Sequence, residues 1–141
     1  MKVNKKALEE LCSILYGACH AKGCEQLKKC PKLCGCNRRR PFKLNNETAM
    51  CWILAGEISG LISMTNPSKE IIKNIYCKME AYHSLSAYHM TNGWHSFILE
   101  IGLIFARATQ VRDVSVYRVF SIQHDIDILK RKICYLKRFP K

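Results

Sequence analysis

Along this chain, stretches in which apolar residues recur every three or four positions are separated by stretches in which they do not. Leu8, Leu11, Cys12, Leu15, Ala18 and Cys19 make the first stripe, and Asn4 stands where its side-chain oxygen can accept from the open amides of a first helical turn. Gly17 and Gly23 bracket the expected end of that helix. Regularity then lapses and returns after position 43. Asn46 is placed to cap a second helix, with Met50, Ile53, Leu54, Ile58, Leu61 and Ile62 on one face and an end near Thr65. Asn66 followed by Pro67 predicts a restart, with Asn66 as cap and proline in the first helical position, where its missing N–H goes unneeded. Ile71, Ile72, Ile75, Tyr76, Met79, Tyr82 and Leu85 carry this third helix to about Met90, and Gly93 marks its stop.

The next stripe, Trp94, Phe97, Ile98, Ile101, Ile104, Phe105 and Ala108, is joined by a second apolar face at Leu99 and Leu103. A helix apolar on most sides is expected at the centre of the fold. Trp52 and Trp94 are read as packing residues. Residues 111–120 are ambiguous, because Val114, Val116, Phe120 and Ile122 alternate as in a strand while the flanking segments are helical; they are read as helix. Ile122, Ile126, Leu129, Ile133 and Leu136 then repeat at four and three, the mark of a final amphipathic helix. The pattern therefore predicts a mainly α protein, a single helical domain of about four to five helices over residues 1–141. At that length, folding buries roughly two-thirds of the surface of the unfolded chain, enough for one apolar core.

Charge changes this picture by dividing the chain. Residues 1–43 hold eleven Lys and Arg against Glu9, Glu10 and Glu25, giving +8; residues 44–110 come to −1; residues 111–141 hold eight against Asp113, Asp125 and Asp127, giving +5. A near-neutral helical scaffold thus carries two basic ends, which is the distribution expected of a surface for an anionic partner. In the last helix Lys130, Arg131, Lys132, Lys137 and Arg138 crowd the side and end opposite the apolar stripe, where positive charge also suits the helix dipole.

The candidate chemistry lies in the irregular stretch. Five of the nine cysteines fall within residues 19–40, which read CHAKGCEQLKKCPKLCGCNRRR. Cys19, His20, Cys24, Cys30, Cys34 and Cys36 are ligand types for zinc, which takes four thiolate or imidazole donors at about 2.0 to 2.3 Å, and Pro31 and Gly35 supply turns that let near neighbours converge on one ion. The spacings include no Cys-x-x-Cys pair, so a disulfide-linked or redox-active cluster and an iron–sulfur cluster remain competing uses of the same residues. Residues 1–43 are accordingly expected to form a basic, cysteine-rich, zinc-binding knuckle ahead of the scaffold. Cys12, on the helical stripe, is read as a buried small apolar residue.

Arg38, Arg39 and Arg40 follow the cysteines at once, with Pro41, Phe42 and Lys43 behind them. Guanidinium forks match phosphate oxygens two at a time, and Phe42 can stack on a base. A solvated charge run or an import tag is the competing reading. The candidate nucleic-acid contacts are thus Arg38, Arg39, Arg40, Lys43, Lys130, Arg131, Lys137 and Arg138.

Other classes find less support. Glu9 and Glu10 interrupt any apolar run behind the N-terminal lysines, so no signal peptide is predicted. The apolar runs 51–55 and 97–106 fall short of the roughly 20 residues a membrane span needs. An odd cysteine count without a secretion signal points to a reducing, intracellular setting, cytoplasmic or nuclear. Glu57, Glu80-x-x-His83 and Glu100 fall on successive helices as in carboxylate-bridged di-iron bundles, but the second Glu-x-x-His such a site needs is missing. No nucleotide-binding, zinc-protease or serine-hydrolase motif occurs, and catalysis is not indicated. The expectation is a small intracellular, metal-stabilised nucleic-acid-binding or regulatory protein. The alternative is a helical adaptor or inhibitor on an acidic protein surface with a purely structural metal, a role whose size and cysteine usage would suit a viral or phage accessory protein.

Overall fold

The computed structural model of the chain describes residues 3–18, 45–85, 93–114 and 120–138. They form five helices, α1 (Lys5–Ala18), α2 (Asn45–Ser63), α3 (Lys69–Ser84), α4 (Trp94–Thr109) and α5 (Ile122–Arg138), and no strand occurs among the described residues. The expected all-helical architecture is therefore present. Of the module expected over residues 1–43, α1 is described and packs into the bundle, whereas its cysteine-rich stretch from Cys19 on lies outside the described residues.

Local chemistry explains most helix boundaries. The Ala7 amide donates to Asn4 Oδ1 at 3.1 Å, so Asn4 caps α1 as its position suggests. Its own amide donates to the Ala108 carbonyl at 2.8 Å, which ties the start of α1 to the end of α4. At the third helix the cap moves two residues on. Ser68, not Asn66, is the N-cap, its hydroxyl accepting from the Ile71 amide at 3.2 Å, and Pro67 precedes the helix with its ring buried. A serine hydroxyl sits closer to its own backbone than an asparagine amide two residues upstream can reach, so the helix starts where the nearest acceptor is.

Two further expectations are corrected. Gly93 does not stop α3; it is the N-cap of α4, with a left-handed φ of 98° that glycine adopts without steric cost. α3 ends earlier, at Ser84, where the Leu85 amide turns back to the Ala81 and His83 carbonyls. Residues 111–114 are not helical either, because Gln110 takes a left-handed φ of 58° and ends α4. The β-branched side chains of this stretch favour extended backbone, and Val114 is buried from it. Residues 115–119 lie outside the described residues. Helix resumes at α5, where the His124 amide donates to Ser121 Oγ at 3.1 Å.

α1 and α4 form the middle of the bundle: each packs against three other helices, α1 on α2, α4 and α5, and α4 on α1, α3 and α5. Leu8, Leu11, Ile14 and Leu15 of α1 are fully buried, each side chain stabilising by about 1.5 to 3 kcal/mol on leaving water. α4 buries a broad face, including Trp94, Phe97, Ile101, Ile104 and Phe105, while the expected second apolar face stays open, Leu99 being exposed and Leu103 half-buried. α2 turns slightly differently from the stripe read in the sequence. Cys51 and Ala55 face the core while Ile53 and Trp52 lie exposed, Trp52 at 52%. Small residues on the inner face let α1 approach closely enough for Cys12 Sγ to donate to the Ala55 carbonyl at 3.3 Å. Trp52 is thus not a core residue; its ring stands edge-to-face with Tyr16, with centroids 5.5 Å apart.

Candidate functional site

Of the expected metal ligands, Cys19, His20, Cys24, Cys30, Cys34 and Cys36 all lie outside the described residues, as do Arg38, Arg39, Arg40 and Lys43. Lys130 and Arg131 stand on α5. Lys137 and Arg138 belong to its last turn, and their side chains lie outside the described residues. Among the described residues no group of three or more His, Cys, Asp or Glu side chains converges where a metal ion could sit.

Among the described residues, the two ends of the chain meet at the α1–α5 contact. The two helices pack together, and Lys130 Nζ of α5 reaches Glu10 Oε1 of α1 at 3.3 Å, across 120 positions of sequence. Arg131 beside it is exposed, as is Lys6 on α1. The start of α5 is anchored by Arg107 of α4, which pairs with the buried Asp125 carboxylate and donates to the Phe120 carbonyl at 2.6 Å. A charge pair this deep holds direction as well as position, since separating it would leave a carboxylate without water.

The described cysteines behave as their burial dictates. Cys12 and Cys51 are buried thiols outside any disulfide, and desolvation pushes the Cys12 thiol above its ordinary pKa, so it is held as SH. Cys77 is a free thiol on the exposed side of α3.

The residues of the carboxylate–histidine constellation take separate partners. Glu57 accepts from Lys78 at 2.5 Å, and Glu80 lies 3.5 Å from Arg112. His83, in the last turn of α3, meets His95, in the first turn of α4, with Nε2 atoms 3.2 Å apart. Burial, and then the neighbouring His95, lower the His83 pKa from its ordinary value, because both penalise a second positive charge there.

Between α3 and α4 lies a cleft of about 370 Å³. Its walls are apolar, from Met79, Ile98, Leu99 and Leu103, and it is deepened at Gly102, where a Cβ would meet nothing within 4 Å. Its rim is polar: Arg112 donates to the Tyr76 hydroxyl at 3.3 Å and faces Glu80, while His83 closes the other end. The second apolar face of α4 at Leu99 and Leu103 was the one sequence signal for this cleft. Nothing in their spacing announced that Tyr76 and Arg112, or His83 and His95, would meet across this helix pair.

No known protein family, curated protein or solved structure matches this chain. Any reading of its function therefore rests on the residues themselves.

Proposed function

We propose that the protein binds nucleic acid through a basic surface assembled from the two ends of the chain, on a scaffold whose N-terminal module is stabilised by zinc. The observation that supports this most is the packing of α1 against α5, joined by Lys130 and Glu10: the basic helix α5 lies against the helix that the cysteine- and arginine-rich stretch follows in sequence. Two basic stretches at opposite ends of a sequence act as one electrostatic surface only when the fold joins them. In this reading Arg38, Arg39, Arg40, Lys43, Arg131, Lys137 and Arg138 grip phosphates. Lys130 contributes less, its charge being partly met by Glu10. Zinc is held by ligands drawn from Cys19, His20, Cys24, Cys30, Cys34 and Cys36, and its role is to fix the arginine run in place.

Salt dependence tests the reading. Neutralising Z phosphates makes log K fall with log salt by about 0.9Z on duplex and about 0.7Z on single strands. With five or so contacts, binding to mixed-sequence DNA or RNA should weaken steeply between low and physiological salt, and replacing Arg38, Arg39 and Arg40 with alanine should flatten the slope by roughly two to three units. No binding at low salt, or a slope the triple variant leaves untouched, would remove the arginines from the site. The exposed Trp52 and Ile53 of α2, an apolar pair of the kind that anchors protein interfaces, would then favour an adaptor on an acidic protein.

A further inference from the structure

We propose that His83 and His95 form a two-imidazole binding site for a divalent transition-metal ion of the zinc, nickel or copper type, clipping the end of α3 to the start of α4. This inference is independent of the cysteine-rich module and of nucleic-acid binding. It begins from geometry: at metal–nitrogen bonds of about 2.0 to 2.1 Å, a tetrahedral angle sets two ligand nitrogens about 3.3 to 3.4 Å apart. The two Nε2 atoms already stand 3.2 Å apart. The ring centroids are farther apart, at 4.2 Å, so the imidazoles approach each other at their Nε2 ends, and binding one ion turns the rings apart about those ends.

The pair is also held from behind. The residues immediately before them in sequence are bonded to each other, the indole N–H of Trp94 donating to the Tyr82 carbonyl at 3.4 Å. Trp94 is fully buried and packs on Phe97, so the backbone positions of both histidines are fixed by the core rather than by the imidazoles themselves. Ligands on two separate helices with their own support are the arrangement in which a metal adds a cross-link at small ordering cost.

Access and chemistry agree with this. His95 is exposed and His83 half-buried, so an ion reaches the site with water still filling its remaining positions. Imidazole is a borderline donor that suits zinc, nickel and copper over magnesium or calcium. Without metal, one ring must donate its Nε2–H to the other; with metal, both rings carry their proton on Nδ1 and both Nε2 atoms face the ion. Glu80 lies one turn before His83, but its carboxylate faces Arg112, so it is not counted as a ligand.

The test is residue-resolved labelling of the full chain, which keeps cysteine-bound metal out of the readout. Histidines are acylated with diethylpyrocarbonate with and without added zinc, and modification is quantified by mass spectrometry, with His124 on α5 as internal reference. At zinc about ten times the dissociation constant the unliganded fraction falls about tenfold, so labelling of His83 and His95 should fall together by that factor while His124 is unchanged. In His95→Ala, His83 should lose this protection, and His83→Gln should do the same to His95. Helical content by circular dichroism verifies that each variant is folded. Labelling of His83 indifferent to zinc in the wild-type chain, or protection that survives His95→Ala, would overturn the site.

Discussion

α4 and α2 are both rich in apolar residues, yet one buries its aromatic rings and the other shows its tryptophan to solvent. α4 lies against three helices and buries Trp94, Phe97 and Phe105, leaving Leu99 as its exposed large apolar residue, whereas α2 packs mainly on α1 and α3 and leaves Trp52, Ile53, Gly56 and Gly60 outside. Apolar content therefore says how much a helix can bury, and neighbours decide how much it does. The difference assigns stability to α4 and leaves the outer face of α2 for other uses.

The sharpest way to break this comparison is to shorten one large side chain in each helix. Phe105→Ala in α4 removes a fully buried ring and should cost about 3 to 5 kcal/mol in denaturant unfolding, a large part of a typical domain's stability. Trp52→Ala in α2 should cost less than about 1 kcal/mol, chiefly its edge contact with Tyr16. Equal losses would mean that the outer face of α2 is covered. Next in size is Asp125→Ala, which strands Arg107 against α4 and should cost about 3 kcal/mol, the low end for a broken buried pair because Arg107 keeps 18% exposure. Glu57→Ala, which breaks a half-exposed pair with Lys78, should cost under about 1 kcal/mol by the same assay.

Thiol chemistry sharpens the contrast between inside and outside. Cys77 should alkylate at the rate of a solvent thiol, whereas Cys12 and Cys51 should react only as fast as α1 and α2 open, and peptide mapping over time separates the three. Rapid alkylation of Cys12 in the folded chain would contradict the close α1–α2 packing. The smallest effect concerns His83. Its folded pKa lies below the unfolded value of about 6.5, so the unfolded chain binds more protons in that window and stability rises with pH through it. His95, Glu80 and Arg112 also face this region, so the measurement compares the wild-type chain with His83→Gln between pH 5 and about 7.5. The variant should show a shallower rise.

Much of the fold was legible because helical periodicity records burial directly. Asn4, the α1 stripe and the main apolar stripe of α4 were all readable on that basis, whereas the second face of α4 at Leu99 and Leu103 proved open. The misplaced boundaries share a cause: Ser68, Gly93 and Gln110 act through backbone conformation and single hydrogen bonds, which leave a faint mark on composition. The alternation of Val114, Val116, Phe120 and Ile122 argued against helix here, and the helices on either side outweighed it. The α3–α4 site was hidden for a different reason. Its chemistry depends on which residues meet across a helix pair, and His83 and His95 are separated by a break in the helical pattern that conceals their adjacency. The expected cysteine and arginine contacts fall outside the described residues.

The bond from the Asn4 amide to the Ala108 carbonyl, with Lys130 on Glu10 nearby, has a kinetic consequence. α3 and α4 can find each other across a short connection, but α1 docks on partners made near the other end of the chain. Bringing such distant segments together costs loop-closure entropy before any contact repays it, and proteins rich in non-local contacts fold slowly for their size. During synthesis the leucines of α1 have α2 as their first partner, and their remaining surface is covered only once α4 and α5 have emerged. The first helix made is thus among the last to be fully enclosed, and in that interval its Leu8, Leu11 and Leu15 stripe is the part of the chain most open to association with other molecules.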